Sequence, residues 1–84
     1  MNRNDTAPVA LSARALLRYT KSNRVRIYYL NAVSEARSEL WVVAQQNGRR
    51  RSPRKLVTFD EGDDVPAFVQ EIERELRSGG WSAQ

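Results

Sequence analysis

Cysteine and histidine are both absent from this 84-residue chain. Their absence excludes disulfide scaffolding, thiolate zinc sites, thiol nucleophiles and imidazole acid–base chemistry. Any catalysis would have to rest on carboxylates, hydroxyls or lysine. A chain of this length forms one domain at most and buries roughly 60% of its unfolded surface, so a deep catalytic cleft is not expected. The composition therefore predicts a protein that is not an enzyme and needs no cofactor.

Long hydrophobic runs are missing as well. No apolar run approaches the roughly 18 residues that a membrane-spanning helix needs, and the first residues contain no hydrophobic signal core. These absences predict a soluble, cytoplasmic protein with no membrane partner. Residues 1–8 (MNRNDTAP) are polar and without a period, which predicts a disordered tail ahead of a single domain over residues 9–84.

Acidic residues are scarce in the first two thirds of the chain. Residues 1–55 hold twelve Lys/Arg against three Asp/Glu, whereas residues 56–84 hold two against seven, so balances of +9 and −5 give the net charge of +4. This segregation predicts one basic face and one acidic face. Lysine occurs only at Lys21 and Lys55. The planar guanidinium of the arginines suits phosphate binding and base stacking better than an ammonium does.

Alternating apolar and polar residues predict three strands, with boundaries at Arg24–Val33, Leu40–Gln46 and Lys55–Phe59. An earlier segment, Val9–Thr20, alternates like a strand but has a composition that favours a helix, and its second half is predicted to be a strand. Two connections are predicted between these segments. The polar sequence SEARSE (34–39) should be a loop, and Asn47-Gly48 is a strong turn signal. Pro53 places RRRSPR in a connection or at a sheet edge.

A C-terminal amphipathic helix is the clearest element. Asp63 or Asp64 can cap it, Pro66 suits its first turn, and Ser78-Gly79-Gly80 ends it. Its predicted buried stripe consists of Val65, Phe68, Val69, Ile72 and Leu76. The glutamates off this stripe should make the outer face acidic, namely Glu71, Glu73 and Glu75. Trp81 should fold back on the helix end or the sheet, or else serve as an exposed anchor for a partner.

The predicted fold is α+β, with an antiparallel, curved sheet of three to four strands followed by the C-terminal helix. A single helix covers one face of such a sheet and leaves the other open. Alternation along the second strand divides its residues between the two faces. The face under the helix should carry Val25, Ile27 and Tyr29, and the open face Arg24, Arg26 and Tyr28.

The segment NGRRRSPRK, residues 47–55, contains five cations and no acid. Such density is compatible either with a solvated loop or with a polyanionic partner. On the predicted open face these cations could neutralise phosphates, while Tyr28 stacks on an unpaired base; Trp41 could be a second platform or a core residue. The predicted nucleic-acid-binding residues are Lys21, Arg24, Arg26, Tyr28, Arg49, Arg50, Arg51, Arg54 and Lys55.

The acidic segment DEGDD (60–64) invites comparison with a metal site. It lacks the length and the closing glutamate of a calcium loop. Carboxylates before a helix also have a role in capping and in offsetting the helix dipole. No metal site is therefore predicted.

The stretch from Gly48 to Phe59 (GRRRSPRKLVTF), followed by an acidic turn and the helix, resembles the single-stranded-DNA-binding transcriptional coactivators of the positive cofactor four type. In that family a glycine turn leads through proline and basic residues into a short strand and then a helix. Lys55, Val57 and Phe59 stand where the family has its lysine and two apolar strand residues.

The resemblance extends over residues 18–77, since Arg24 to Tyr29 is similar to the preceding basic strand of that family. Leu56 replaces a usual glycine, and SEARSE lengthens the middle of the sheet. The resemblance implies a four-stranded curved sheet plus helix, a homodimer formed largely through the helices, and unpaired strands lying across the sheets. The expected function is single-stranded nucleic-acid binding in transcription, replication or repair; the alternative is an adaptor module that docks on an acidic protein partner.

Overall fold

The computed structural model describes residues 13–84. The predicted tail at residues 1–8 and the start of the domain at residues 9–12 lie outside the described residues. The elements in chain order are β1 (Arg14–Lys21), β2 (Arg24–Ala32), β3 (Arg37–Gln46), β4 (Arg49–Arg50), β5 (Arg54–Asp60), α1 (Val65–Ser78) and β6 (Ser82–Ala83). This order confirms the predicted α+β fold with one C-terminal helix.

The sheet is antiparallel throughout the described residues. Its order is β4-β3-β2-β1-β6, and β5 pairs with the same edge of β3 as β4 does. The segment that could have been strand or helix forms β1 from Arg14 onward, because it pairs with β2 across the tight turn at Ser22-Asn23. Cross-strand hydrogen bonding thus outweighs the helix propensity of its alanines and leucines.

The polar sequence SEARSE is not the loop that was predicted. β3 begins at Arg37, so only residues 33–36 connect it to β2. The polar residues pair with β5, as Arg37 lies opposite Asp60 and Ser38 opposite Phe59. The Nε of Arg37 also lies 3.0 Å from an Oδ1 oxygen of Asp60. Polarity alone could not reveal these cross-strand partners.

The two segments β4 and β5 form one interrupted edge strand. Arg50 pairs with Gln45, and pairing resumes when Arg54 meets Val42, which leaves residues 51–53 outside the ladder. Pro53 has no N–H to donate, so a break at this point costs little backbone hydrogen bonding. This confirms that Pro53 lies in a connection at the sheet edge.

The helix begins as predicted. Asp64 is its N-cap and accepts a hydrogen bond from the backbone N–H of Ala67 at 3.0 Å, with Pro66 in the first turn. It ends at Ser78, beyond which Gly80 adopts a positive φ of 90°. Leu76 is buried, and Ile72 and Val65 are partly buried against the core.

Phe68 departs from the predicted buried stripe. It is 40% exposed, and its ring meets that of Phe59 edge to face at 5.3 Å between centroids. Phe68 therefore lies at the margin of the helix–sheet contact. Glu73 departs from the predicted acidic outer face, because it turns toward β1 and accepts a hydrogen bond from the hydroxyl of Tyr19 at 2.7 Å.

The helix covers the opposite face of the sheet from the one predicted. Tyr28, expected on the open face, is 5% exposed and belongs to the main core cluster with Leu76 and Trp81. The register explains this, because Tyr28 lies between Leu17 of β1 and Val42 of β3. Bulky side chains of three strands therefore gather on its face, and alternation within β2 alone did not distinguish the two faces.

Candidate nucleic-acid interface

A cleft lined by four arginines lies on the described surface. It measures about 680 Å³ and contains no acidic residue in its lining. The cations come from the second strand and from the interrupted edge strand, namely Arg26, Arg50, Arg51 and Arg54. The remaining lining residues are Tyr28, Val42, Ala44, Ser52 and Leu56. We call this depression the arginine cleft.

The break between β4 and β5 brings Arg50, Arg51 and Arg54 to the cleft. The turn before it uses Asn47 and Gly48 with positive φ values of 55° and 80°, which confirms the predicted turn and suits a two-residue hairpin. Beyond the last paired residue, the backbone N–H of Arg51 donates one further hydrogen bond to the carbonyl of Ala44 at 2.8 Å. Bulged edge strands commonly redirect side chains in this way.

These cations have no internal counter-charge. Within residues 13–84, ion pairs are formed by Arg37, Lys55, Arg74 and Arg77, and none by an arginine of the cleft. Four cations that share a concave surface without a carboxylate raise the local concentration of anions. The cleft is therefore suited to a ligand carrying several negative charges.

Tyr28 lies at the floor of the arginine cleft and does not offer a free ring. Its burial among core side chains contradicts the prediction that it stacks on an unpaired base, since stacking requires an accessible ring face. The cause is the reversed face assignment described above. Tyr28 instead contributes a buried ring to the lining of the cleft.

Trp81 folds back on the sheet, as the first of the two sequence interpretations predicted. Its backbone N–H donates to the carbonyl of Leu76 at 2.9 Å, and residues 82–83 pair with β1. Two arginines lie over its ring, with the Cζ atom of Arg24 at 5.2 Å and that of Arg26 at 4.5 Å from the centroid. Both distances are within the range of cation–π interactions.

Three predicted binding residues lie away from the arginine cleft. Lys21 donates to the carbonyl of Gly79 at 2.6 Å, so it caps the C-terminal end of the helix. Lys55 pairs with Glu39, with 3.5 Å between Nζ and Oε2. Arg49 begins β4 opposite Gln46 and does not line the cleft. Arg24 is intermediate, because it borders a smaller depression of about 220 Å³ shared with Arg26, Arg51 and Trp81.

The face of the sheet away from the helix carries the residues that alternate with Tyr28. Ile27 and Val43 pair across β2 and β3 and are 3% and 1% exposed, yet neither belongs to the core cluster under the helix. Trp41 is half-buried, and its indole N–H donates to Glu39 at 3.0 Å. The sequence left open whether Trp41 is a core residue or a stacking platform. Its intermediate burial does not decide between the two.

The helix forms the second wall of a groove that continues the arginine cleft. This groove of about 380 Å³ shares Arg26, Arg54 and Leu56 with the cleft and adds Glu75 from the helix. Glu75 is the only carboxylate among the described residues that line the two depressions. An anionic ligand extending along the groove would therefore meet repulsion at Glu75.

The acidic segment before the helix is occupied by structural hydrogen bonds. The side chain of Asp63 accepts from the backbone N–H of Asp60 at 2.7 Å, while Asp64 caps the helix. Within residues 13–84 no group of three or more acidic side chains is arranged to hold a metal ion. In the same part of the chain no helix is long and apolar enough to cross a membrane.

Sequence reasoning missed two contributors to the site. Leu56 is 40% exposed and lines both the cleft and the groove, because an irregularity in the β3–β5 register moves it out of the alternation of KLVTF. Nothing in the sequence signals this irregularity. Trp81 was expected to fold back, but its contact with two arginines depends on the register of β2. Comparisons of the chain with protein-family models, curated proteins and solved structures gave no match.

Proposed function

We propose that this protein binds single-stranded nucleic acid through the arginine cleft and acts as an accessory factor in transcription, replication or repair. The observation that carries the proposal is the convergence of Arg26, Arg50, Arg51 and Arg54 around one concave surface without an acidic residue. Arginine binds phosphate oxygens with a planar fork of donors. A phosphodiester chain supplies closely spaced negative charges that such a surface can accept.

The shape of the cleft favours a single strand over a duplex. It is bounded on one side by the broken edge strand and, along its continuation, by the helix. A flexible strand can enter a depression of this kind, whereas a double helix offers a broad convex surface. Exposed Leu56 adds an apolar contact that an unpaired base can use.

The resemblance to coactivators of the positive cofactor four type agrees with this proposal in the order of the elements. We carry over from it the proposal of a homodimer in which two helices meet. In such a dimer two arginine clefts would bind one strand with an increased effective concentration. The proposal for the cleft does not depend on dimerisation.

A comparison of Arg51→Gln with Arg49→Gln tests the proposed function. Both variants lose one charge from the same run, but only Arg51 lines the cleft. Fluorescence anisotropy with labelled single strands should show weaker binding by Arg51→Gln, at about three- to tenfold, and little change for Arg49→Gln. Duplexes of equal length should bind more weakly to the wild-type protein than single strands do.

Competition distinguishes the alternative of an acidic protein partner. An unlabelled oligonucleotide should displace the labelled strand, whereas an acidic peptide of equal net charge should compete poorly if phosphates are recognised. Tighter binding of the acidic peptide would favour the adaptor function. Equal effects of Arg49→Gln and Arg51→Gln would contradict a role for the cleft and indicate only diffuse charge attraction.

A further inference from the structure

The arrangement of Arg26 between Trp81 and the arginine cleft carries a more specific inference, which rests on the proposed function. Trp81 is 8% exposed, so its ring cannot itself receive a base. Arg26 lies over that ring at 4.5 Å from Cζ to centroid and lines the cleft, whereas Trp81 lines only the adjoining groove and the smaller depression. The guanidinium of Arg26 therefore connects the aromatic ring with the cleft.

We infer that Arg26, held on Trp81, is the stacking plane for an unpaired base, and that Trp81 is a positioning residue for this contact. Guanidinium planes stack on bases in proteins that bind single-stranded nucleic acid. A free arginine side chain loses much rotamer freedom when it is ordered by a ligand. Contact with the indole ring restricts Arg26 before the ligand arrives, so less freedom is lost on binding.

The attachment of Trp81 to the sheet supports this role. Gly80 has a φ of 90°, a conformation that lets the chain reverse after the helix. The next residues pair with β1, and the backbone N–H of Gln84 donates to the carbonyl of Arg18 at 2.8 Å. Trp81 is thus fixed by the helix end on one side and by a strand on the other.

A second arginine on the same ring indicates that the ligand is anionic. Arg24 also lies over Trp81, and neither guanidinium forms an ion pair with a carboxylate in the described part of the chain. Two cations near one ring repel each other, and a bound anion close to both would reduce that repulsion. The predicted ligand is therefore a nucleotide unit whose base stacks on Arg26 and whose phosphate contacts Arg24 or Arg51.

A strand with abasic sites separates stacking from phosphate binding. We expect wild-type protein to bind an oligothymidylate about tenfold more tightly than an abasic strand of equal length and charge. Arg26→Lys keeps the charge but removes the planar group, and it should bind both strands equally. Arg54→Lys is the matched control, because Arg54 lines the same cleft and forms no cation–π contact among residues 13–84; this variant should keep the preference for bases.

Trp81→Leu should likewise lose the preference for bases while keeping most affinity for the abasic strand. If this variant does not fold, Arg26→Lys alone decides the matter. Equal binding of both strands by wild-type protein would overturn the inference and leave the proposed function standing. Binding of neither strand would refute the proposed function and the inference with it. If Arg54→Lys lost the preference for bases as fully as Arg26→Lys does, Arg26 would not be the specific stacking residue.

Trp81 also provides a direct optical readout. The chain has two tryptophans, so Trp41→Phe leaves Trp81 as the single one. Occupation of the face of Arg26 should change the emission of Trp81 when oligothymidylate is added, and much less when the abasic strand is added at the same fractional saturation. Equal changes with both strands would contradict base stacking at this position.

Discussion

At the scale of single residues, the hydroxyl of Tyr19 connects the sheet to the helix. It donates to Glu73 at 2.7 Å, and Arg77 lies 3.9 Å from the same carboxylate oxygen. The hydrogen bond to Glu73 raises the pKa of Tyr19, burial raises it further, and the charge of Arg77 opposes the shift. Ionisation would remove the donated proton and place two negative charges side by side.

The raised pKa of Tyr19 predicts a loss of stability at alkaline pH. A phenol whose pKa is higher in the folded state contributes stability that is fully present below its unfolded pKa of about 10 and is lost as pH rises through the folded pKa. Urea midpoints measured from about pH 8 to pH 11 should therefore fall more steeply for the wild type than for Tyr19→Phe. Parallel curves for the two proteins would contradict the predicted link.

The face of the sheet on which a side chain of β2 lies could not be predicted from β2 alone, because it depends on the neighbouring strands. The sequence of β2 correctly indicated a strand with alternating faces, yet it assigned Tyr28 and Tyr29 to the wrong sides of the sheet. Both faces of β2 carry an aromatic residue, so composition did not decide. The assignment is set by Leu17 and Val42, which lie opposite Tyr28. Such pairing joins distant segments and is not visible in a local pattern.

At the scale of elements, the helix is most deeply buried near its C-terminal end. Leu76 is 4% exposed and belongs to the core cluster, whereas Phe68 is 40% exposed. Leu76→Ala should therefore cost about 2 to 5 kcal/mol of unfolding free energy, as a cavity forms in the core. Phe68→Ala should cost less, about 1 to 2 kcal/mol, through loss of its edge contact with Phe59 and of partial burial.

Urea unfolding measures both variants directly, because the midpoint shifts with stability while the slope reports the surface exposed. A greater loss for Phe68→Ala than for Leu76→Ala would show that the N-terminal half of the helix makes the main contact. Leu76 was correctly placed on the buried stripe by its spacing. Spacing did not reveal that Phe68 remains 40% exposed beside Phe59.

The helix also brings one carboxylate to the groove beside the arginine cleft. Glu75→Lys should strengthen binding of single strands, by about threefold at low salt, because the carboxylate is replaced by a cation. Glu61→Lys makes the same change of charge in a separate depression near Val33 and Arg37. Its effect on anisotropy titrations should be smaller. Weakened binding by Glu75→Lys would show that the ligand does not follow the groove.

The sequence predicted the boundaries of elements correctly where they depend on residues close together in the chain. The turn at Asn47-Gly48 and the cap at Asp64 depend on residues close in sequence, and both are found in the structure. The start of β3 at Arg37 was not predicted, since polar residues there are stabilised by a partner strand about twenty positions away. The gap at residues 51–53, which shapes the cleft, was predicted only as a connection containing Pro53.

At the scale of the whole molecule, the separation of charge along the chain becomes a separation in space only in part. The arginine cleft gathers cations from β2 and from the broken edge strand. Lys21 and Lys55 are engaged elsewhere, and Glu75 of the acidic half lies beside the cleft. Net charge therefore overstates the number of cations available to one ligand.

The salt dependence of binding measures how many of those cations contact phosphates. If about four arginines of the cleft contact phosphates, the slope of log affinity against log salt should be near −3, since each contact with a single strand contributes about 0.7. Replacing Arg50, Arg51 and Arg54 together by glutamine leaves one contact and should bring the slope to about −0.7. A fourfold rise in salt would then cost about threefold in affinity, compared with about fiftyfold for the wild type.

A matched triple variant separates local contacts from total charge. The control replaces three arginines outside the cleft by glutamine and removes the same charge: Arg14, Arg37 and Arg74. Both triple variants change exposed side chains, so stability should shift by less than about 0.5 kcal/mol per position. Circular dichroism should show that both variants are folded. The cleft variant should bind more weakly and with a smaller salt dependence, while the control should keep a slope near that of the wild type. Equal slopes for the two variants would mean that binding responds to net charge and that the convergence of arginines in the cleft has no special role.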